Sequence, residues 1–301
     1  MIRMKLSAEC IPCLLRRAVY EVELCAPGRA METLRECSLV VAEKASERIS
    51  SAEFASAIHQ CAYAAIGKDD PYSDLKKRSN EVALSMLPVA ERFVEGSKNP
   101  LITAMRVSII GNLLDFGIEG SIGSPEALKK AFKVLMTEPL GSDDSEEIEG
   151  MIRKSKDIVF LADNCGEIVF DKILLKEIKR RRSGSIVLVI KGKPILTDVT
   201  KKDMRGLGIE KLVDEILETE DVAVGINLWT KGKNSEIARR LGKADLIISK
   251  GMANFEALSE HDWKAIAYLL RVKCGTVARA INAPIDTNVI WLVRGRKKEK
   301  R

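Results

Sequence analysis

From residue 157 onward, short apolar runs alternate with amphipathic segments, and this alternation restricts the possible folds more than any other feature of the chain. The run DIVFLADN at 157–164 precedes an amphipathic segment at 167–182, and the run SIVLVIKGKP at 185–194 precedes TDVTKKDMRGLG at 197–208. Strand, helix, strand and helix in this order predict an α/β fold with a mainly parallel, doubly wound sheet covered by helices.

The same alternation continues towards the end of the chain. Three more apolar runs predict strands at 245–249, 265–272 and 288–293, and the segments 234–244 and 275–283 have helical character. In a sheet of this kind the ligand site lies outside the carboxyl ends of the strands. Polar residues that directly follow these runs are therefore the candidates for function.

The first half of the chain has a different period. From residue 8 to about 140 the apolar positions recur at helical spacing, and helix starts are predicted at Ser51, Pro71 and Ser124. We therefore predict two domains, an all-helical N-terminal cap domain at 1–145 and an α/β metal- and phosphate-binding domain at 146–301.

The composition predicts a cytoplasmic protein. The longest apolar runs are far shorter than a membrane span, and no apolar segment of signal-peptide length follows the N-terminus. Seven cysteines in 301 residues are too few for a disulfide scaffold, which favours a reducing compartment. Six of the last eight residues are basic and favour a solvated terminus over a nucleic-acid contact, since only 5% of residues are aromatic. We expect no nucleic-acid or membrane partner, and the oligomeric state is not readable.

Three oxygen-bearing residues lie at predicted strand ends. Asp163 and Asn164 close the run at 157–164, and Asp198 follows the next run along the chain. Carboxylate and amide oxygens are hard ligands that suit Mg²⁺ or Mn²⁺. The alternative is that these residues only cap the helices predicted after them. Their coincidence at one edge of the sheet favours a metal site.

A second group of residues has the character of a phosphate site. Lys250, Gly251 and Asn254 end the run at 245–249, and Lys273 ends the run at 265–272. Glycine allows backbone N–H groups to approach a phosphate, a helix N-terminus adds positive potential, and lysines supply point charges. The alternative for each lysine is an ordinary surface charge.

Asn112 and Asp115 end an apolar helix in the N-terminal half. They either reach over the site, to support its residues or to bind substrate, or form a turn through Asn and Gly, and the sequence does not separate the two readings.

Cys10 and Cys13 form a C-x-x-C pair that is typical of metal knuckles and redox sites. A single pair is a weak signal, because a closed zinc site needs four ligands. His59 and His261 are the only histidines, so a histidine-dependent triad is poorly supported.

Four segments in this order, LADNCGEIVFD, GKPILTDVT, SKGMANFEAL and LLRVKCGTVA, resemble the damage-control phosphatase family. The N-terminal segments CIPC, DDPYSDLKKRSN and GNLLDFG are similar to those of its cysteine-pair-bearing, mainly prokaryotic branch. The resemblance covers nearly the whole chain and implies a Rossmann-like αβα core beside a helical N-terminal part. Residue by residue, it implies a divalent metal on Asp163, Asn164 and Asp198.

The resemblance also implies phosphate contacts from Lys250, Gly251, Asn254 and Lys273, with Met252 and Ala253 departing from the family loop. It implies hydrolysis of small phosphometabolites, such as sugar phosphates or damaged phosphorylated cofactors, with Mn²⁺, Mg²⁺, Ni²⁺ or Co²⁺. We expect a water held by the ion, rather than an aspartate, to attack phosphorus, since the DxD pattern of aspartyl-phosphate enzymes is absent.

Two other functions stay open at this point. The first is a carboxylate methyltransferase that uses S-adenosylmethionine, although the loop after the first strand has one glycine where a glycine-rich loop is expected. The second is a metal-dependent protein that binds phosphometabolites without turning them over.

Overall fold

The computed structural model describes residues 4–114, 131–132, 134–229 and 235–295. In this part of the chain one seven-stranded sheet has the order β1-β7-β6-β5-β2-β3-β4. Its strands are β1 Ser142–Asp143, β2 Asp157–Leu161, β3 Ser185–Ile190, β4 Glu215–Glu218, β5 Leu246–Lys250, β6 Ala265–Arg271 and β7 Asn288–Arg294. Strands β2 to β6 are parallel, and β7 runs antiparallel to β6. The predicted α/β class with a mainly parallel sheet is confirmed.

The structure describes the bounds of ten α-helices, three of which begin at a side-chain cap. They are α1 Cys10–Cys25, α2 Ala30–Lys44, α3 Ser51–Ile66, α4 Ser73–Glu95, α5 Pro100–Ile110, α6 Ser145–Lys154, α7 Glu167–Arg181, α8 Glu236–Lys243, α9 Gly251–Leu258 and α10 Gly275–Ile281. The side chains of Ser50, Asn99 and Ser235 each accept a backbone N–H three residues on, at the starts of α3, α5 and α8. Such caps satisfy amide groups that have no partner within the helix.

The sheet is covered on both faces, as its continuous apolar strands require. In β2, Ile158 and Phe160 face the layer that contains α4, α5, α6 and α7, while Val159 and Leu161 face the layer that contains α8, α9 and α10. All four side chains are buried. The result is an αβα sandwich in which β5 is the central strand and β2 lies beside it.

Helices α1, α2 and α3 form a separate apolar cluster, which we call the N-terminal bundle. The bundle also buries Ile195 and Val224, which belong to loops beyond β3 and β4. In contrast, α4 and α5 share the apolar core of the sheet. Only part of the segment predicted as a cap therefore lies apart from the sheet, and a domain boundary near residue 145 stays a prediction.

One predicted helix is wrong. Residues 201–206 form turns instead of the helix expected at 197–208. Gly206 and Gly208 adopt φ values of +81° and +71°, which end any regular helix there. The Asp203 carboxylate accepts the backbone N–H and the hydroxyl of Thr200, which favours a turn. The strand β4 was also missed, because four residues are too few to give a clear pattern.

The predicted helix starts compare well where the structure describes them. Helix α3 begins at Ser51, and α4 begins at Ser73, two residues after Pro71. Ser124 lies outside the described residues. Within the described part of the chain, no helix is both long enough and apolar enough to span a bilayer.

The start of β3 provides a test of strand packing. A Cβ atom at Gly184 would lie 1.8 Å from the backbone oxygen of Lys156, whereas one at Gly150 in α6 would meet nothing within 4 Å. We expect Gly184→Ala to lower the free energy of unfolding by roughly 1–3 kcal/mol through overpacking. Gly150→Ala should raise it by about 0.5–1 kcal/mol, because glycine is unfavourable inside a helix. Urea unfolding of both variants measures the difference, and equal stabilities would contradict the close approach of β2 and β3.

Candidate active site

The centre of the sheet is where the order of strands reverses. The chain passes from β2 to β3 and β4 on one side and then returns to β5 on the other side of β2. Loops leaving the carboxyl ends of β2 and β5 therefore diverge and leave a crevice between them. Asp163 and Asn164 follow β2, and Lys250 ends β5, so the predicted residues lie at this crevice.

A short backbone pairing brings Asp198 beside Asn164. These two residues form an isolated antiparallel bridge. The N–H of Val199 donates to the oxygen of Asp163 at 2.9 Å, and the N–H of Cys165 donates to the oxygen of Thr197 at 2.8 Å. The loop after β3 thus runs alongside the loop after β2. Sequence reasoning correctly expected Asp163, Asn164 and Asp198 at one edge of the sheet.

These three side chains do not cap helices. The N-cap position of α7 is Gly166, without a side-chain bond, and turns rather than a helix follow Asp198. Asn164 instead donates its Nδ2 to Asp163 Oδ2 at 2.6 Å and accepts the hydroxyl of Thr197 at 2.7 Å. All three side chains are nearly buried, with exposed fractions of 4–7%. Capping, the alternative reading, is excluded by this geometry.

The carboxylate of Asp163 is held by two amides and by a space that a glycine leaves. Asn112 also donates its Nδ2 to Asp163 Oδ2, at 3.1 Å. A Cβ atom at Gly251 would lie 1.9 Å from the same oxygen, and Gly251 has φ +73°. Position 251 therefore requires glycine for two reasons. Its backbone has a positive φ, and the carboxylate of Asp163 occupies the space that a side chain would need.

Negative charge is in excess around Asp163. Burial raises the pKa of Asp163 well above its usual range, and the carboxylates of Asp198 and Glu167 raise it further, while Lys273 and Lys250 counteract this only in part. Two carboxylates and an amide oxygen form a hard donor set. A bound cation is the ordinary means of stabilising such a cluster in its ionised form.

Lys191 directly follows β3 and lies at the site, although it was predicted only to stand at a strand end. Its ammonium nitrogen lies 3.4 Å from Asp198 Oδ2 and donates to the backbone oxygens of Ala223, at 2.8 Å, and Gly225. The side chain is buried. Lys191 therefore fixes Asp198 against the loop after β4.

Lys250 does not have the environment expected for a phosphate ligand. Its side chain is fully buried, and its ammonium donates to Glu167, to Asp171 at 2.8 Å and to the backbone oxygen of Ser108 at 3.2 Å. An ammonium has three hydrogens, and three acceptors use them. The expected direct phosphate contact of Lys250 does not fit this geometry, because burial and its partners commit the charge to the protein interior.

Glu167 and Asp171 are the residues that sequence reasoning missed. They are one turn apart on α7, and both are fully buried. Glu167 accepts from Asn112 at 3.0 Å as well as from Lys250, and the Ser108 hydroxyl donates to Asp171 at 2.5 Å. The signal was present, since two acids interrupt the apolar face of this helix at i and i+4 spacing.

Asn254 and Lys273 differ in how they face the crevice. Asn254 donates its Nδ2 to the backbone oxygens of Ala162, at 3.0 Å, and Lys250, at 2.9 Å, so it ties α9 to the end of β2. Lys273 is half-buried, donates to the backbone oxygen of Asn112 at 3.1 Å and acts electrostatically on Asp163. Lys273 thus adds positive charge near Asp163, as Lys191 does near Asp198.

The remaining candidates divide between the site and the rest of the molecule. Asn112 is buried and its side chain contacts Asp163, so it lies at the site as the first of the two readings expected. Asp115 lies outside the described residues. Among the residues that the structure describes, no group of three or more His, Cys, Asp or Glu side chains is arranged to hold a metal, so Cys10 and Cys13 have no set of such partners there. His59 lies in the N-terminal bundle, 2.8 Å from Glu21.

Comparison with known proteins identifies the family of this chain. The sequence profile of the damage-control phosphatase ARMT1-like domain matches residues 6–289. The chain belongs to this family. A damage-control phosphatase of Archaeoglobus fulgidus is 39% identical over 292 residues, which cover 96% of this chain and 100% of that protein. A damage-control phosphatase of Pyrococcus horikoshii is 32% identical, with 93% and 96% covered.

Solved structures give the same family. A crystal structure of a DUF89 family protein from Pyrococcus horikoshii superimposes with a TM-score of 0.87 at 30% identity, covering 98% of this chain and 100% of that chain. The predicted resemblance to the damage-control phosphatase family is therefore confirmed, and so is the fold that it implied.

The buried ion cluster below the crevice can be tested with two matched variants. Lys250→Met leaves Glu167 and Asp171 buried without their cation, so we expect a loss of roughly 3–5 kcal/mol in unfolding free energy. Lys264→Met removes an exposed lysine that pairs with Asp245 and should cost less than about 1 kcal/mol. Urea unfolding at neutral pH measures both, and a Lys250→Met variant as stable as Lys264→Met would disprove the structural importance of this cluster.

Asp171 should make stability depend on pH. Burial is the main cause that raises the pKa of Asp171 to about 6, and Glu167 adds to it, while Lys250 opposes the shift. Because the folded state holds this proton more tightly than the unfolded state, the contribution of Asp171 is present at low pH and is lost as pH rises through about 6. Relative to Asp171→Asn, the wild type should therefore gain unfolding free energy between pH 7.5 and pH 5. A pH-independent difference between the two proteins would contradict the shift.

Proposed function

We propose that this protein is a metal-dependent phosphomonoester hydrolase that acts on small phosphorylated metabolites. The single observation that carries the proposal is the convergence of Asp163, Asn164 and Asp198 at the switch point of the sheet, with the charge of Lys273 directed at them. The relatives named damage-control phosphatase support the same activity class. Sugar phosphates and damaged phosphorylated cofactors are the substrates that we expect.

The residues present fit a divalent ion. Burial is the first cause of the raised pKa of Asp163, and the carboxylates of Asp198 and Glu167 raise it further, while Lys273 and Lys250 lower it. The amide of Asn164 now directs its nitrogen to Asp163 and its oxygen to the Thr197 hydroxyl. Rotation of this amide would turn the oxygen towards the ion, and the hydroxyl can either donate or accept, so Thr197 suits both positions.

Asp163, Asn164 and Asp198 would hold Mn²⁺, Mg²⁺, Ni²⁺ or Co²⁺. When bound, the ion would supply Lewis-acid stabilisation of the phosphoryl oxygens and would lower the pKa of water. Lys273 would pair with a phosphoryl oxygen, and the backbone at Gly251, where α9 begins, would offer N–H groups to the same phosphate. Asn112 would keep Asp163 oriented by its hydrogen bond.

In this proposal Lys250 acts indirectly. It neutralises Glu167 and Asp171 beneath the crevice and so fixes the start of α7 against β5. Lys191 has a similar role on the other side, where it holds Asp198. Positioning of this kind is a large part of phosphoryl-transfer catalysis, because the chemistry needs few covalent steps from the protein.

Water is the nucleophile that the geometry favours over an aspartate. Oδ2 of Asp163 already accepts hydrogen bonds from two amides, and Asp198 is paired with Lys191. These contacts hold both carboxylates in place. An attack by either one on phosphorus would have to break these contacts.

The decisive experiment is hydrolysis of p-nitrophenyl phosphate and a panel of sugar and cofactor phosphates with each divalent metal. Asp163→Asn and Asp198→Asn should each lower kcat/KM on the order of a hundredfold or more, since each removes a charged ligand of nearly unchanged size. Asp245→Asn, a change at an acid that pairs with Lys264 far from the crevice, should leave kcat/KM unchanged. Calorimetric titration with Mn²⁺ should show weaker binding for the first two variants only.

Four outcomes would contradict the proposal. Turnover that persists in a chelator would exclude a metal requirement, and full activity in both site variants would exclude these ligands. Metal and phosphate-ester binding without any turnover would instead indicate a binding protein. Calorimetric binding of S-adenosylmethionine would favour the methyltransferase alternative.

A further inference from the structure

The loop that carries Asp198 is attached to the N-terminal bundle as well as to the sheet. Ile195, three residues before Asp198, is fully buried in the apolar cluster of α1, α2 and α3. On the sheet side, the backbone of Thr197 and Val199 bonds to the loop after β2. The position of Asp198 is therefore set from two sides.

Leu196 lies between these two attachments in a conformation that is unusual for its type. Its φ is +48°, in the left-handed region that residues with a Cβ atom disfavour. Strain of this kind persists only where surrounding contacts hold it in place, and it is frequent close to functional sites. Leu196 must therefore be held in this conformation by its neighbours.

The side chain of Leu196 packs against the bundle, and its backbone donates a hydrogen bond to the bundle. The backbone N–H of Leu196 donates to the hydroxyl of Tyr63 at 2.8 Å, across 133 positions of sequence. Tyr63 lies on α3 and is 8% exposed, so its ring is fixed by packing. Burial, and then the carboxylate of Glu21, raise the pKa of Tyr63, which keeps the hydroxyl uncharged in its present role.

We infer that Tyr63 is a positioning residue for Asp198, and that the N-terminal bundle is thereby part of the metal site. This inference rests on the proposed function, because it assigns Asp198 to the metal. The hydroxyl of Tyr63 holds the strained backbone of Leu196, and Leu196 fixes the direction in which the chain enters Asp198. Supporting residues of this type affect metal affinity although they never touch the ion.

The alternative is that Tyr63 only packs within the bundle and has no effect on the metal site. Tyr63→Phe separates the two, since it keeps the ring and removes the hydroxyl alone. Tyr20→Phe is the matched control: Tyr20 also belongs to the bundle, where it packs against Tyr72 with ring centres 6.4 Å apart. Both rings belong to the apolar cluster of the bundle, but it is Tyr63 that bonds to Leu196.

We expect Tyr63→Phe to weaken Mn²⁺ binding in calorimetry on the order of tenfold or more. The kcat for p-nitrophenyl phosphate at subsaturating Mn²⁺ should fall similarly, while KM for the ester changes less than twofold, because Tyr63 does not face the phosphate. Tyr20→Phe should match the wild type in all three quantities. Circular dichroism at low temperature confirms that each variant is folded.

A second variant tests the strain itself. Glycine adopts a φ of +48° without cost, so Leu196→Gly should make the loop less dependent on the hydroxyl. The double variant Tyr63→Phe/Leu196→Gly should therefore recover most of the Mn²⁺ affinity that Tyr63→Phe loses. If Tyr63→Phe alone is too unstable to measure, the Mn²⁺ affinity of the double variant is compared with that of Leu196→Gly, and the two should be similar.

The outcomes distinguish this inference from the proposed function. Equal Mn²⁺ affinity of the wild type and Tyr63→Phe would overturn the inference alone. So would a double variant that binds Mn²⁺ no better than Tyr63→Phe, or far more weakly than Leu196→Gly. Absence of Mn²⁺ binding by the wild type would overturn both proposals.

Discussion

Three charged groups without access to water lie beneath the centre of the sheet's rim, and the arrangement of the site depends on them. Lys250 comes from β5, Glu167 and Asp171 come from α7, and a backbone oxygen of α5 completes the set. Removing charges from water is costly unless each finds a partner, so these contacts hold a strand and two helices in one geometry. Because Glu167 also accepts from Asn112, the geometry is transmitted to Asp163 above it.

The same cluster explains how charge is divided at the crevice. In the lower layer, one lysine stands between two carboxylates. In the upper layer, the charges of Asp198 and Lys273 both act on Asp163, and Lys191 lies beside Asp198. The lower layer has two carboxylates and one lysine, and the upper layer has two carboxylates and two lysines, so the site as a whole retains an excess of negative charge. A cation and a phosphate that bind together would each complement one part of the upper layer.

The sequence was sufficient for features that depend on the chain's local pattern. The positions of Asp163, Asn164 and Asp198 followed from the rule that carboxyl ends of parallel strands share one edge. The buried role of Lys250 could not be predicted from the sequence, because it depends on contacts with Ser108 and Asp171, which lie far away along the chain. The bond between Tyr63 and Leu196 has no local signal at all. The false helix after Asp198 arose because periodicity ignores the turn-forming effect of its glycines and of an aspartate side chain.

The N-terminal bundle has a consequence for the order in which the chain can fold during synthesis. Its apolar cluster includes Ile195 and Val224, so helices α1, α2 and α3 are made long before the residues that complete their core. At about 5–20 residues per second, the ribosome needs roughly 8–30 s to proceed from the end of α3 to residue 224. During this interval the nascent helices expose an unfinished apolar surface. Because its core includes Ile195 and Val224, the N-terminal bundle cannot complete its packing until most of the chain has left the ribosome.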